Sequence, residues 1–241
     1  MDAADKAAAS SVLFLLGDCN GEPCLILNKR SRHVRQPGDL CCPGGGIHSR
    51  LDPVLAKVIA LPFLPLGRWP YWKGWRRRTP RRARLLSLLL ATGLREGVEE
   101  MRLNPFRVRF LGVLPPEPLV MFRRTIYPMV AWLPHPQRFY TNWEVEKIVS
   151  IPLSALLDPE RYRQLHLYLG QSEEDSGDVP EGMVLPCFVH ETPSGGELLW
   201  GATYRITTVF LKMAFDFSPP PAAALPSVAG FLDQRYLGGG K

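Results

Sequence analysis

Arg95, Glu96, Glu99 and Glu100 fall within the stretch LREGVEEM. On an α-helix, positions 96, 99 and 100 are related as i, i+3 and i+4, so the three carboxylates project from one face. Carboxylates crowded in this way repel one another, and where water is partly excluded they need a cation. Hard oxygen ligands at this spacing suit Mg2+ or Mn2+. The same residues also fit a solvated helix face carrying an Arg95–Glu99 i,i+4 ion pair. Chance is a poor source of the pattern. With Arg and Glu each at about 6% of residues, R-E-x-x-E-E arises roughly once per 10⁵ positions, and helical enrichment in charge raises that only several-fold.

The element that must carry these residues begins well upstream. Thr79 followed by Pro80 reads as a helix start, with a hydroxyl at the N-cap and proline at the first helical position. The apolar run LLSLLLATGL continues the helix to about Arg102, where Asn104 and Pro105 mark the stop. Gly93 and Gly97 each weaken such a helix by roughly 1 kcal/mol, so they mark close packing rather than helix propensity. Ahead of the helix, SVLFLLG and PCLILNKRS read as a hairpin about DCNGE, and DLCCPGGG as a strand ending in a tight loop near Pro43. After it, VRFLGVL, RTIYPMVAWLP and MVLPCFVHE read as strands, and VEKIVSIPLSALLDPERY as a strand, a turn and a short helix. ELLWGATYRITTVFLKMAF has helical spacing with Gly195 and Gly196 just ahead of it. From Pro219 the chain is rich in proline and glycine and reads as an extended or loosely attached tail.

With 241 residues, 46% of them hydrophobic, the chain can bury one full core. The expected organisation is one domain over residues 1–218 with an insertion at about 53–79, then the tail 219–241. Five cysteines without a C-x-x-C pair cannot all form disulfides, which points to a reducing, cytoplasmic compartment and against a structural zinc site. The N-terminus lacks the basic region and cleavage site of a signal peptide. The longest apolar runs reach about half of the ~20 residues that a membrane span requires. Net charge is +6, but residues 54–94 hold nine basic side chains and no acidic one, leaving 20 basic against 23 acidic elsewhere. One segment makes the protein basic.

Arg95, Glu96, Glu99, Glu100 and Leu103 match the second half of the signature of the Nudix hydrolases, G-x5-E-x7-R-E-U-x-E-E-x-G-U, where U is a bulky aliphatic residue. The chain resembles that family. LILNKRSRHVRQPGDLCCPGG, GVLPPEPL, YPMVAWLP and ELLWGATYRI are in addition similar to segments of its coenzyme A pyrophosphatase branch, and together these cover roughly residues 11–215 without the insertion. The resemblance implies an α/β (α+β) fold, a mixed sheet sandwiched between helices, with the basic, Trp-rich insertion in the loop before the catalytic helix. Three positions depart from the pattern: Gly97 replaces an aliphatic residue, Arg102 the closing glycine and Cys42 the phenylalanine of F-P-G-G. The loop after P-G-G is about 30 to 35 residues longer than the family's, so the signature's first acid is expected to be lost or displaced. Asp52 is the nearest candidate, out of register, and His48 stands where an acid is expected.

The chemistry implied is metal-assisted hydrolysis of a diphosphate. Glu96, Glu99 and Glu100 would hold Mg2+ or Mn2+, which offsets phosphate charge and lowers the pKa of a bound water. Glu99 or Glu100 would serve as general base, and Arg95 completes the catalytic set. Pro43, Gly44 and Gly45 would let the backbone pass close to the metals and substrate, and Gly38 belongs to the same substrate-side motif. Arg30 and Arg35 match basic positions of the coenzyme A motif and would meet phosphates, unless they are surface arginines beside a hairpin. The implied substrate is coenzyme A, cleaved to 3′,5′-ADP and 4′-phosphopantetheine. The alternatives are another small nucleotide derivative (ADP-ribose, NADH, a dinucleoside polyphosphate) or a catalytically weak Nudix-fold binding module. Cys41 and Cys42 read as core or loop residues rather than nucleophiles, and Trp200 as either packing or a substrate contact.

The segment 54–84 lies outside the resemblance. Arg81, Arg82 and Arg84 sit in the first helical turns, where the macrodipole disfavours cations. Trp69, Trp72 and Trp75 beside arginines, next to an apolar patch of Val58, Ile59, Leu61, Phe63, Leu64 and Leu66, resemble a peripheral membrane contact on anionic lipid. The rival readings are a lid over the active site and a surface packed on a second subunit. No RNA-binding motif supports a nucleic-acid partner, and the sequence leaves the oligomeric state open.

Overall fold

The computed structural model describes residues 9–119, 124–169, 183–192, 195–232 and 236. The chain divides into two compact units, residues 1–27 with 42–142 and residues 28–41 with 143–241. The N-terminal stretch 1–8, read above for targeting signals, lies outside the described residues.

Unit 1 is built around β1 (Ala9–Cys19), whose residues are buried on both faces through Leu16, as expected of a central strand. β1 turns at Asn20 and Gly21, both at positive φ, into β2 (Glu22–Arg30), with Leu15 opposite Ile26 and Cys19 opposite Glu22. The expected hairpin is found, with a two-residue turn. Cys19 and Cys24 meet across it as a disulfide, and Cys41, Cys42 and Cys187 are not disulfide-bonded. Five cysteines were expected not all to pair, and one bonded pair is found: the hairpin, invisible in the spacing, brings Cys19 and Cys24 together.

The chain then passes through β3 (Leu40–Cys41), which belongs to unit 2, to β4 (Gly44–Gly46). β4 pairs with β1 through Ser10–Gly46, Ser11–Gly45 and Val12–Gly44. Three helices follow: α1 (Asp52–Val58), α2 (Trp72–Arg78) and α3 (Pro80–Met101). β5 (Arg109–Val113), β6 (Glu117–Leu119) and β7 (Arg124–Leu133) complete the unit. β7 runs parallel to β1 from Ala9–Thr125 to Gly17–Leu133 and pairs antiparallel with β5 and β6. The expected mixed sheet with helices is found.

α3 follows the predicted bounds but not the predicted cap. The Thr79 hydroxyl donates back to the Trp75 carbonyl at 3.1 Å instead of capping α3. At the other end Arg102 takes the left-handed conformation, φ 55°, and its N–H reaches the Val98 carbonyl. Leucines 86, 89, 90 and 94 are all buried. α3 contacts β1, β4 and β7 as well as α1 and α2, so a helix apolar on more than one face is satisfied on several sides. A Cβ on Gly93 would stand 3.2 Å from Leu13, and one on Gly97 3.0 Å from Leu103 and 3.3 Å from Leu13. Both glycines mark close packing, as expected.

The insertion is folded onto the unit. Ile59, Leu64, Leu66 and Trp72 are buried, whereas Val58, Leu61 and Phe63 face outward. This corrects the single apolar patch read from the sequence: half of it is core. Trp69 packs edge-on against Phe110 with ring centroids 5.1 Å apart. Its indole Nε1 donates to the Leu111 carbonyl at 3.3 Å. Arg68 bonds the Phe106 and Val108 carbonyls at 3.0 and 2.8 Å.

Unit 2 holds β3, paired with the end of β2 through Asn28–Cys41 and Lys29–Leu40. It continues with β8 (Val145–Pro152) and α4 (Leu153–Leu156). A four-stranded sheet follows, in the order β11-β10-β9-β12, from β9 (Tyr162–Leu169), β10 (Met183–Thr192), β11 (Gly195–Leu199) and β12 (Ser227–Leu232). α5 (Gly201–Phe215) lies between β11 and β12 in the chain. The helix expected from Glu197 onward therefore starts at Gly201, because Trp200 is extended and Gly201 sits at φ +64°. Glu197–Leu199 pairs with β10 instead. Within the proline-rich tail, β12 runs parallel to β9.

Candidate active site

The carboxylate face of α3 is organised around Arg95. Its Nε donates to Asp52 Oδ1 at 2.7 Å, its Nη1 to Glu99 Oε2 at 3.0 Å, and its Nη2 to Glu96 Oε1 at 2.9 Å and to the Gly46 carbonyl at 3.0 Å. Burial works against the guanidinium charge. The bond to Asp52 and the charges of Glu96, Asp52 and Glu99 outweigh it and push the Arg95 pKa above its ordinary value. Arg95 is a fixed cation with three acidic partners. The expected i,i+4 pair with Glu99 is present, but it is only one of them.

Asp52 was the acid that the sequence left out of register, and the fold returns it to Arg95. It is fully buried at the first turn of α1. Its Oδ2 accepts the His48 N–H at 2.7 Å and lies 2.7 Å from the Thr92 hydroxyl. His48, in the position where an acid was expected, contributes its backbone N–H there, and its ring Nδ1 accepts from Leu51 N–H at 3.1 Å. A buried carboxylate needs this full set of donors. Thr92 was missed in the sequence. The one signal for it was its place on α3, three residues before Arg95.

The glycine loop comes close to the same face. Gly44 N–H donates to Glu100 Oε2 at 3.3 Å. A Cβ on Gly44 would fall 2.4 Å from the Ser11 carbonyl oxygen, and one on Gly45 would fall 2.3 Å from Glu96 Oε1. Pro43 is held by its carbonyl, which accepts Leu13 N–H at 2.8 Å and extends the β1–β4 pairing. Pro43, Gly44 and Gly45 are thus brought together with Glu96 and Glu100.

Glu100 is buried, whereas the Glu99 side chain is 52% exposed. Among the described residues no group of three or more His, Cys, Asp or Glu side chains is gathered to hold a metal ion. Glu96 and Glu99 are instead drawn to Arg95. The donor set nonetheless suits a hard divalent cation: three carboxylates on one helix face, with a Cβ-free backbone against Glu96.

Arg30, Arg35 and Gly38 belong to unit 2. They share one loop: Arg30 Nε donates to the Arg35 carbonyl at 2.7 Å, and Gly38 N–H to the Arg30 carbonyl at 2.9 Å. In that loop burial lifts the Asp39 carboxyl to about 6, against the hydrogen bond from Tyr236 and the charge of Arg30. Trp200 stacks on Tyr236, which gives it a packing partner. Of the cysteines, Cys42 is buried, and burial pushes the Cys187 thiol to about 11.

No family model matches the chain. It is 28% identical over 149 residues to an uncharacterized Nudix hydrolase, NudL, of Enterobacter sp. strain 638, a match covering 61% of this chain and 58% of that protein. The chain thus spans little more than half the length of that relative. Over 215 residues it is 26% identical to the peroxisomal coenzyme A diphosphatase NUDT7 of Mus musculus, covering 87% of this chain and 71% of that one. Among solved structures, a Nudix hydrolase from Nitrosomonas europaea is 10% identical, covering 93% of this chain and 79% of its own, with a TM-score of 0.42. An Ap4A hydrolase complex from C. elegans is 12% identical, covering 60% and 80%, with a TM-score of 0.41. In sequence the chain is similar to Nudix hydrolases.

Proposed function

We propose that the chain hydrolyses the diphosphate linkage of a nucleotide derivative, and that coenzyme A is its substrate. The observation that carries the reaction class is the pairing of Asp52 on α1 with Arg95, and of Arg95 with Glu96 and Glu99 on α3, beside the glycines of β4. The substrate reading rests on similarity to a protein named for coenzyme A diphosphatase activity and on the basic loop Arg30–Arg35.

Glu96, Glu99 and Glu100 would hold Mg2+ or Mn2+, which when bound offsets phosphate charge and acidifies a water. The protein's own part is positional. Asp52, held by Thr92 and the His48 N–H, fixes the Arg95 guanidinium, and Arg95 orients Glu96 and Glu99 along one face. Glu99, the exposed member, would accept a proton from the attacking water, with Glu100 as the buried alternative. Gly44 N–H fixes Glu100, and the missing side chain of Gly45 keeps the space beside Glu96 open. Arg30 and Arg35 would take substrate phosphates.

The test is phosphorus-detected turnover of coenzyme A, ADP-ribose, NADH and dinucleoside polyphosphates with Mg2+ or Mn2+, in wild type, Glu99→Gln and Glu100→Gln. Metal-dependent formation of 3′,5′-ADP and 4′-phosphopantetheine, lost in both variants, is expected. Turnover of a different substrate would keep the reaction class and reject coenzyme A. Silence on all of them from a folded protein would leave a binding module. That second reading has one observation in its favour, the engagement of Glu96 and Glu99 by Arg95.

A further inference from the structure

The exposed residues of the insertion and of the first turns of α3 carry three features that the hydrolase reading does not use. First, α1 carries exposed apolar side chains on its outward side, beside the exposed Lys57. Its buried residues Asp52 and Ala56, followed by Ile59, fall at i, i+4 and i+7, and α1 packs on α3. Val54 and Val58 fall on the opposite side, and Val54 is 57% exposed; just beyond the helix Phe63 is 60% exposed. Second, aromatic rings gather at the start of α2. Tyr71 and Trp75 both pack edge-on against Trp69, with centroids 5.4 and 5.8 Å apart, yet are 66% and 37% exposed. Third, every basic residue from Lys73 to Arg84 is exposed, none forms an ion pair among the described residues, and the segment holds no acid.

We propose that this surface docks on an anionic lipid bilayer. The unneutralised positive charge calls for a negative partner. Exposed valine and phenylalanine side chains enter an acyl boundary, and Tyr and Trp favour the headgroup level beside it. A second copy of the chain is a poor occupant, because a twofold contact through this face would set two clusters of like charge together. Single-stranded nucleic acid is also a poorer fit, since the exposed aliphatic side chains of Val54 and Val58 offer no stacking platform. The buried half of the insertion, with Trp72 and Leu66 in the core, holds the outer half in place.

The experiment is flotation of the full chain with vesicles of phosphatidylcholine alone and of phosphatidylcholine with about 30% phosphatidylserine. Wild type is compared with Val54→Ser/Val58→Ser/Phe63→Ser and with Arg76→Ser/Arg77→Ser/Arg78→Ser, all sites exposed in the fold, with melting curves as the control. Expected are recovery with the anionic vesicles, weakening with salt, about 100-fold weaker binding in the arginine variant, and at least about tenfold weaker binding in the apolar variant. No recovery of wild type with anionic vesicles overturns the proposal, as does binding that the apolar variant leaves unchanged. Binding of a single-stranded oligonucleotide equal to that of vesicles, lost only in the arginine variant, overturns it in favour of a soluble polyanion. A wild-type dimer that the apolar variant turns into monomer overturns it in favour of self-association. None of these readouts depends on turnover, so the proposal stands or falls apart from the hydrolase reading.

Discussion

At the scale of single residues, Asp52 and the two glycines of β4 bear the sharpest consequences. Replacing Asp52 by alanine leaves Arg95 with Glu96 and Glu99 but without its buried partner. A loss of roughly 2–3 kcal/mol in denaturant unfolding is expected, somewhat under the range for a buried charge left wholly alone. Any turnover should fall with it, since the guanidinium loses its anchor. Gly44 and Gly45 are neighbours with different constraints. A methyl on Gly44 meets the backbone of Ser11 and Val12, which cannot yield without breaking the β1–β4 pairing. A methyl on Gly45 meets the end of the Glu96 side chain, which can swing aside. Gly44→Ala should therefore lower the melting temperature markedly, whereas Gly45→Ala should leave it within a few degrees while reducing turnover by displacing Glu96. Equal effects of the two on melting would contradict the packing described here.

At the scale of elements, the insertion is a cover for α3 on one side and an exposed basic surface on the other. Trp72 is 6% exposed in a helix that packs on α3. Trp72→Ala should cost about 3–5 kcal/mol in chemical denaturation. Arg76, Arg77 and Arg78 follow it within the same helix, all exposed, and each change to serine should move stability by no more than about 0.5 kcal/mol. A small effect for Trp72→Ala would detach the insertion from the core. The sequence made α3 and the β1–β2 hairpin legible, because Thr79-Pro80, the leucine run and Asn20-Gly21 are local signals. It did not reveal which face of the insertion is buried, since alternating proline, tryptophan and leucine carry no clean period. Nor did it reveal that Glu197–Leu199 is a strand: pairing with β10 overrides local spacing that reads as helix.

At the scale of the whole molecule, stability should carry a pH signature from the Asp39 loop. Burial raises the folded pKa of Asp39 from 3.8 to about 6. Between those values the folded state binds more protons than the unfolded chain, so stability falls as pH rises from about 4 to above 6. The raised carboxyl thus favours the fold at the acid end of that window and opposes it at neutral pH. Asp39→Asn should flatten this limb and gain about 1–2 kcal/mol relative to wild type at pH 7.5, with little gain near pH 4. Urea midpoints at the two pH values measure it, and an unchanged slope in the variant would mean that Asp39 titrates normally.

The sequence by itself determined the chemistry on offer: an arginine and three glutamates at helical spacing, a glycine loop ahead of them, and the concentration of positive charge in one segment. Those features are local, and local spacing survives in a linear reading. Only the tertiary structure decided that Asp52, forty-three positions from Arg95, is its anchor. Only the fold showed that Thr92 and the His48 backbone complete that site, that Cys19 and Cys24 are bonded, and that half of the insertion's apolar residues are core. Each of these depends on which chain segments meet. A long insertion separates Asp52 from Arg95 in the sequence, while the packing of α1 on α3 brings their side chains to 2.7 Å.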